Sequence, residues 1–288
     1  MVKHNIELPH KDYLNIFVMF DLDNYNTNLV SEQLYYYNVH ILFFICYNSV
    51  DVWEVFMKYN RVLLKLSGES LSGSMGKGID FDRVLEICSE IKECASMGIQ
   101  IGIVVGGGNF WRGRSNKYMD RATSDYIGML GTTMNALAIG DAFKQLGQDV
   151  RVQTGVEMRQ VAEFYIKDRA IRHLDKGRVV VFGCGTGSPF FSTDTASALR
   201  AAEINADCVL KATNVDGIYD KDPKKFDDAK MISKTSYIDV LNKKLNVMDS
   251  TATSLCMEEN IPIIVFNINK KGNLKKILSG VDIGTFVN

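Results

Sequence analysis

The sequence predicts a three-layer α/β/α sandwich with a mostly parallel central sheet. From Met57 onward, short β-branched apolar runs alternate with amphipathic stretches of helix length. The apolar runs are continuous and do not alternate with polar residues, as expected for strands that are covered on both faces. Glycine-rich or polar loops follow four of these runs, where ligands bind in sheets of this class.

The apolar runs predict seven strands, because each is short and rich in Val, Ile and Leu. They are residues 61–66, 99–105, 149–154, 178–183, 207–212, 261–266 and 284–287. Between them, apolar residues recur at helical spacing and predict five helices. These are residues 81–98, 123–147, 161–177, 193–206 and 253–260.

Residues 1–56 differ in composition from the rest of the chain. They contain no Gly, Ala or Arg, whereas all 23 glycines fall in residues 57–288. Their amino acids have codons poor in G and C, and the codons of Trp53 to Met57 can contain a ribosome-binding sequence ahead of a start codon. We therefore expect the natural protein to start at Met57. Residues 1–56 are then a disordered leader or a mis-assigned start, and residues 57–288 form one domain.

Charge and cysteine usage argue against several classes of protein. The net charge is −1 and the pI is about 6.4, so the composition does not predict a nucleic-acid surface. The apolar run at residues 39–47 is too short to span a bilayer. Six cysteines without a CxxC pair are expected to be reduced core residues, which favours a cytoplasmic protein. The shortness of the apolar run argues against a membrane partner.

Several familiar catalytic and binding motifs do not fit the sequence. Only His173 lies outside the first forty residues, so a Ser-His-Asp triad or a histidine metal site is poorly supported, and we expect His173 at the surface. Trp111 stands at the third glycine position of a GxGxxG fingerprint. A P-loop at GSMGKGI would need Gly and Ser/Thr where Leu71 and Gly78 occur.

Two loops carry glycines at strand ends and could cradle phosphate. KLSGES (65–70) places Lys65 at the end of the first strand, ahead of a serine and a glycine. GGGNFWRGR (106–114) supplies three glycines, followed by Arg112 and Arg114. Glycine lets the backbone N–H groups approach an anion closely, and guanidinium groups suit phosphate oxygens. Phe110 and Trp111 are expected to pack the loop and not to contact a base.

Two further loops add hydroxyls, aromatic rings and a second cation. TGSPFFSTDTA (186–196) is rich in Ser and Thr, carries two phenylalanines that could wall a planar base, and reaches Asp194 at a helix start. KATNVDGIYDKDP (211–223) begins with Lys211 at a strand end. Two lysines, glycine cradles, an arginine and an aspartate, without an activated nucleophile, indicate phosphoryl transfer, which depends mainly on positioning and charge stabilisation.

These loops, in this order, resemble the bacterial-type UMP kinases of the amino-acid kinase superfamily. The resemblance covers essentially all of residues 59–288 and is carried by LLKLSGESL, GGGNFWRG, IGMLGTTMNALA, GTGSPFFSTDTAS, VLKATNVDGIYDKDP and LNVMDSTA. It implies the amino-acid kinase fold, with an acceptor-binding half near 57–182 and an ATP-binding half near 183–288. It also implies ATP-dependent phosphorylation of UMP to UDP in pyrimidine nucleotide biosynthesis.

The resemblance also implies roles for individual residues. Those implied for catalysis are Lys65, Lys211, Asp194 and Arg112. Those implied for ATP are Lys65, Leu66, Ser67, Gly68, Gly108, Arg112, Thr213, Asn214, Tyr219 and Asp222. Those implied for UMP are Gly107, Asp125, Thr186, Gly187, Ser188, Pro189, Phe190, Phe191, Ser192 and Thr193. Mg²⁺ is expected to be carried by the nucleotide phosphates without direct protein ligands.

Regulation and assembly are implied by the same resemblance. A loop linked to activation by GTP corresponds to Gly73, Ser74, Met75, Gly76, Lys77 and Gly78. Inhibition by UTP and a homo-oligomer, a hexamer, are also implied. Gly140 departs from members that carry Arg, and Asp249 matches a family aspartate without a clear role. The alternatives are another small-acceptor kinase, such as an acetylglutamate or carbamate kinase, or a protein that senses UMP or UTP.

Overall fold

Eleven strands occur in the computed structural model, which describes residues 57–112, 118–221, 223, 225–226, 228–245 and 247–288. They are β1 (Arg61–Leu66), β2 (Gln100–Val105), β3 (Val150–Thr154), β4 (Glu163–Phe164), β5 (Val179–Gly183), β6 (Cys208–Thr213), β7 (Ile218–Tyr219), β8 (Met231–Ile232), β9 (Lys234–Thr235), β10 (Ile263–Asn267) and β11 (Thr285–Val287). The leader predicted at residues 1–56 lies outside the described residues.

Nine of the strands form the central sheet of the described region, in the order β4-β3-β5-β2-β1-β6-β10-β11-β9. All neighbours run parallel except β10 and β11. β1 lies at the centre, with β2 on one side and β6 on the other. The loops that follow these three strands therefore lie at one edge of the sheet.

Seven helices in the described region cover the sheet. They are α1 (Phe81–Ser96), α2 (Arg121–Gln145), α3 (Lys167–Leu174), α4 (Thr193–Glu203), α5 (Tyr237–Asn242), α6 (Ser250–Glu258) and α7 (Asn273–Leu278). Two 3₁₀ turns, Gly68–Leu71 and Gly73–Met75, lie between β1 and α1. The predicted α/β fold class is confirmed by this arrangement.

The strands direct alternate side chains into two separate cores. Val62, Leu64 and Leu66 of β1 pack with α1, α2 and α7 on one face. Leu63 packs on the other face, with residues of α3, α4, α5 and α6. Because successive strand residues point to opposite faces, Lys65 must project to the same face as Leu63. The alternation along β1 therefore aims this lysine at the α4 side.

The sequence was wrong about the beginning of the third predicted helix, residues 161–177. Glu163 and Phe164 pair in parallel with Gln153 and Thr154 as an edge strand, and α3 begins only at Lys167. The Glu163 carboxylate accepts a hydrogen bond from the Gln153 side chain, 3.0 Å away. Pairing at the sheet edge therefore overrides the amphipathic pattern there.

His173 was also misplaced by the sequence prediction. Its side chain is only 13% exposed and its Nε2 lies 3.1 Å from a Glu163 oxygen, while Nδ1 lies 3.1 Å from Arg178. Burial acts to raise the pKa of Glu163, but hydrogen bonds from Gln153 and His173 outweigh this effect. The pKa of Glu163 is therefore lowered. The histidine ties α3 to β4 and does not lie free at the surface.

The described cysteines agree with the expectation from composition. Cys88, Cys94, Cys184, Cys208 and Cys256 are free and buried, as predicted for core residues. Cys46 lies outside the described residues. Within the described ranges, we find no helix that is long and apolar enough to cross a membrane.

Candidate active site

Lys65 and Lys211 lie side by side at the carboxyl ends of neighbouring strands. β1 and β6 are parallel, and the two lysines are register partners. The residues before them, Leu64 and Leu210, are buried in the core on the opposite face of the sheet. Because successive strand residues point to opposite faces, both lysines project to the face on which α4 packs. The fold thus contains the predicted pair of adjacent strand-end cations.

Asp194 lies between the two lysines and pairs with both. Its Oδ1 lies 3.0 Å from Lys65 Nζ, and its Oδ2 lies 3.1 Å from Lys211 Nζ. Asp194 occupies the first turn of α4, which begins after Ser192, whose side chain accepts a hydrogen bond from Thr195 N. Partial positive charge at a helix N-terminus also favours a carboxylate there.

The three charged groups are mostly withdrawn from water. The Lys65, Lys211 and Asp194 side chains are 12%, 13% and 18% exposed. Burial acts to raise the pKa of Asp194, but the charges of Lys65 and Lys211 outweigh it and hold that pKa below its usual value. Burial and the neighbouring Lys65 lower the pKa of Lys211, against the opposing pull of Asp194 and Asp249. One carboxylate therefore compensates two cations incompletely.

The loop before α6 completes the surroundings of Lys211. Lys211 Nζ donates to the Val247 carbonyl. Two residues later, Asp249 caps α6 by accepting from Ala252 N at 2.8 Å. The same carboxylate accepts from the hydroxyls of Ser192 and Thr195. This contact gives Asp249 the structural role that the sequence left open, since it joins the beginnings of α4 and α6.

The first two loops touch each other through glycine. A Cβ on Gly68 would lie 2.6 Å from the Gly106 carbonyl oxygen and 3.0 Å from Gly108 N, so a side chain cannot be accommodated. Gly106 N donates to Leu66 O at 3.0 Å, and Ser67 caps the turn by accepting from Ser70 N. The two predicted phosphate cradles thus form one continuous surface.

The second loop also packs on α2. A Cβ on Gly107 would lie 2.6 Å from Gly128 O, so this residue is pressed against the helix. Trp111 Nε1 donates to Ser124 Oγ at 2.9 Å, in agreement with its expected packing role, whereas Phe110 is 37% exposed. Sequence reasoning placed Gly107 at UMP and did not foresee this packing.

Arg112 is paired with a residue of the first loop. Its guanidinium contacts the Glu69 carboxylate, and both side chains are largely exposed, at 65% and 45%. An exposed pair of this kind contributes little to stability and can exchange partners with an arriving anion. The adjoining residues 113–117, which include Arg114, lie outside the described residues.

Two buried asparagines that the sequence analysis missed hold the glycine turn. Asn109 and Asn135 pair side chain to side chain, and they are 5% and 0% exposed. Asn135 also donates to Gly106 O at 2.7 Å, and Asn109 donates to Gly78 O at 2.7 Å. The signal was a lone amide within the apolar stretch IGMLGTTMNALA of α2.

Asp125 and the predicted UMP residues of the third loop lie together, whereas Gly107 lies on the second loop, against α2. Asp125 of α2 accepts from Phe190 N at 2.9 Å and from Arg121 Nε at 2.8 Å. Phe190 and Phe191 are 65% and 53% exposed. Gly187 has φ +83°, and its missing Cβ leaves room for the Gly155 backbone. The other members are Thr186, Ser188, Pro189, Ser192 and Thr193, which lead from this loop into α4.

The predicted adenosine residues lie at the end of β6 and in the segment after it. Thr213 Oγ1 accepts from Val215 N at 3.3 Å, and the Asn214 side chain contacts Asn269 at 3.2 Å. Tyr219 lies in β7, which pairs with β8. Asp222 lies outside the described residues. Asp216, next to this group, pairs with Lys270 at 2.8 Å.

The loop Gly73–Gly78 joins the site through the second loop. Gly78 N donates to Asn109 O at 3.1 Å, and the Asn109 side chain returns a bond to Gly78 O. Gly76 and Gly78 have φ +69° and +71°, which glycine adopts without strain. Met75, immediately before Gly76, is 55% exposed.

A model of the amino acid kinase family matches residues 60–267. The chain belongs to the amino acid kinase family. A solved structure of UMP kinase from Bacillus anthracis is 40% identical, with a TM-score of 0.77, covering 80% of this chain and 96% of that one. UMP kinase from Ureaplasma parvum is 33% identical, with a TM-score of 0.75, covering 81% and 100%.

A more distant relative has the same overall structure. Uridylate kinase from Archaeoglobus fulgidus is 26% identical, with a TM-score of 0.59, covering 79% of this chain and 99% of that one. The resemblance to UMP kinases read from the loop motifs is therefore confirmed at the level of family membership.

Replacing Asp194 by Asn tests the charge cluster. We expect Asp194→Asn to lower kcat by about 10²-fold or more and to lower the free energy of unfolding by about 3–5 kcal/mol near pH 7, because two cations lose their shared anion. The pKa of Asp194 is lower in the folded protein than in the unfolded chain, where it is near 3.8. The stabilisation by Asp194 is therefore present at pH values above 3.8 and is lost as pH falls from there through the folded-state pKa.

Urea denaturation and steady-state kinetics across pH measure both effects. Asp239→Asn is the matched control, because Asp239 forms an exposed pair with Lys243 on α5. An Asp194→Asn protein as stable and as active as the Asp239→Asn control at pH 7 would contradict the assigned role.

Proposed function

We propose that this chain transfers the γ-phosphoryl group of ATP to UMP, giving UDP and ADP, as a step of pyrimidine nucleotide biosynthesis. The observation that carries the proposal is the Lys65–Asp194–Lys211 cluster at the carboxyl ends of β1 and β6, beside the two glycine loops that follow β1 and β2. UMP kinases at 33–40% identity support the choice of acceptor.

The residues suit a direct in-line transfer. A phosphate oxygen of UMP is already anionic at neutral pH, so the acceptor needs no general base and the protein needs mainly to position and stabilise charge. Lys65 and Lys211 are held at fixed places by Asp194, where they can stabilise charge on the transferring group. Arg112, whose present partner is exposed, can move onto a phosphate.

The loops divide between the two nucleotides. We assign ATP phosphates to Lys65–Gly68 and Gly108, and adenosine to the segment after β6. We assign UMP to the third loop, with Asp125 at its ribose. The contact between Asp125 and Phe190 N supports this grouping, because it joins two predicted UMP residues from distant parts of the chain. The exposed phenylalanines supply apolar surface for a planar base.

Magnesium fits the site as a companion of ATP. Mg²⁺ commonly uses one or two carboxylates together with substrate phosphates and water. In the part of the chain that the structure describes, no group of three or more His, Cys, Asp or Glu residues is arranged to hold a metal. Asp194 is the acidic side chain nearest the lysine pair and could supply a single ligand. When bound, the ion neutralises phosphate charge.

Assembly and regulation extend the proposal. Tyr126, Leu130 and Met134 form an exposed apolar stripe along α2, at 46%, 50% and 45% exposure. This stripe supports contact between copies of the chain, and we propose a homo-oligomer, with a hexamer as the family expectation. Activation by GTP through Gly73–Gly78, inhibition by UTP and a cytoplasmic location are proposed from the resemblance.

A comparison of acceptors tests the function. ADP release should be fastest with UMP, slower with CMP, and near background with acetylglutamate and carbamate. Lys65→Ala should lower kcat with UMP by about 10²–10⁴-fold, because charge stabilisation is lost, while UMP binding changes little. Lys243→Ala, at an exposed site, is the control.

No turnover of UMP by the unaltered protein would refute the proposal. A preference for acetylglutamate or carbamate would indicate a different kinase of the family. Turnover unchanged in Lys65→Ala, with weakened UMP binding, would instead favour a nucleotide sensor.

The pH dependence tests Lys211. Because burial lowers the pKa of Lys211, its ammonium charge is lost as pH rises through a value below the usual 10.5. We expect kcat/KM to fall as pH rises, with a midpoint below 10.5, because kcat/KM reports the ionisation of groups in the free enzyme. Lys211→Arg should shift this fall to higher pH, since guanidinium does not deprotonate there. An unchanged alkaline limb in Lys211→Arg would contradict the assignment.

A further inference from the structure

The turn Gly106–Gly107–Gly108 has no side chain of its own to fix its peptide planes. Glycine accepts many backbone conformations, so a peptide between two glycines can rotate with little steric resistance. The turn nevertheless lies within the site. A Cβ on Gly106 would lie 3.3 Å from Gly68 N and 3.7 Å from Thr193 Oγ1, next to the lysine cluster. Backbone hydrogen bonds from Gly106 N to Leu66 O and from Trp111 N to Gly107 O hold the two flanking peptides, so the orientation of the Gly106–Gly107 peptide depends on what binds the Gly106 carbonyl.

A closed amide pair supplies the missing restraint. Asn135 Nδ2 donates to Asn109 Oδ1 at 2.8 Å, and Asn109 Nδ2 donates back to Asn135 Oδ1 at 2.9 Å. The second N–H of Asn135 goes to Gly106 O, and that of Asn109 goes to Gly78 O, each at 2.7 Å. Both side-chain amides thus use all their donors in buried positions.

The bond to Gly106 O fixes more than one carbonyl. In a planar trans peptide the C=O and N–H groups point in opposite directions. With the Gly106 carbonyl held toward Asn135 inside the molecule, the N–H of Gly107 is held pointing away from Asn135. A flipped peptide would present a carbonyl oxygen on that side, and its partial negative charge would repel a phosphate.

We propose that Asn135 and Asn109 are positioning residues that lock the Gly106–Gly107 peptide in its anion-accepting orientation. This inference rests on the proposed phosphoryl transfer for its kinetic consequence, but the lock itself is a property of the protein without nucleotide. Asn109 extends the lock to Gly78, so the segment before α1 and the glycine turn share one restraint.

A leucine at position 135 separates this role from simple packing. Asn135→Leu fills a similar volume but leaves the Gly106 carbonyl without its donor. The matched control is Ile139→Ala at a buried position one turn further along α2, which weakens the packing of the same helix without removing a hydrogen-bond donor from the turn. Asn109→Ala removes the lock from the loop side and serves if Asn135→Leu does not fold.

The first measurement is a crystal structure of the variant without nucleotide. We expect the Gly106–Gly107 peptide to be flipped or to occupy two orientations in Asn135→Leu, and to be single and unchanged in Ile139→Ala. A single, unchanged orientation in both Asn135→Leu and Asn109→Ala would overturn the proposal. This readout needs no activity, so it decides the lock even if UMP is not the acceptor.

The second measurement determines kcat and KM separately for the two variants, under conditions in which the same fraction of each protein is folded. With UMP and ATP as substrates, kcat of Asn135→Leu should be at least about tenfold below that of Ile139→Ala, while KM for UMP stays within about threefold. The double variant Asn109→Ala/Asn135→Leu should lose no more than the worse single variant, because both act on one restraint. A kcat equal to that of Ile139→Ala would overturn the kinetic part.

Discussion

One carboxylate shared by two lysines is the interaction on which the candidate site depends. The Asp194 carboxylate pairs with both Lys65 and Lys211, in a region where each cation would otherwise be costly to bury. The geometry requires three elements at once: two adjacent parallel strands in register and a helix whose first turn reaches them. Negative phosphate groups can then neutralise the positive charge of the two lysines that Asp194 does not balance. A site with excess positive charge is suited to nucleotide phosphates.

The surrounding loops place backbone groups close to the Lys65–Asp194–Lys211 cluster. Gly68 and Gly106 lie in contact because neither carries a side chain, so the turns after β1 and β2 merge. Asp249 connects the beginning of α6 to the beginning of α4, and the carbonyl of Val247 accepts a hydrogen bond from Lys211. Arg112 remains at the rim in an exposed pair with Glu69, so it stays available.

Sequence patterns predicted the long elements well, since the strands of five or six residues other than β3 carry apolar runs. They failed where an element is too short to show a period. β4 consists of two residues, and its pairing with β3 overrode an amphipathic pattern that looked helical. The sequence could place Lys65, Lys211 and Asp194 at strand and helix ends, but only the register shows that they meet. The Asn109–Asn135 pair was missed because reciprocal amide bonding depends on tertiary contact and leaves almost no local signal.

The most direct test of the shared carboxylate is a double-mutant cycle on the rate of phosphoryl transfer from ATP to UMP, measured in single turnovers. The chains to compare are the unaltered protein, Lys65→Ala, Asp194→Asn and the variant with both changes. If Asp194 acts by holding the lysines, the double variant should be no slower than the slower single variant, because the two changes disable one unit. If the two losses multiplied, Asp194 and Lys65 would act independently, and the central claim would be contradicted.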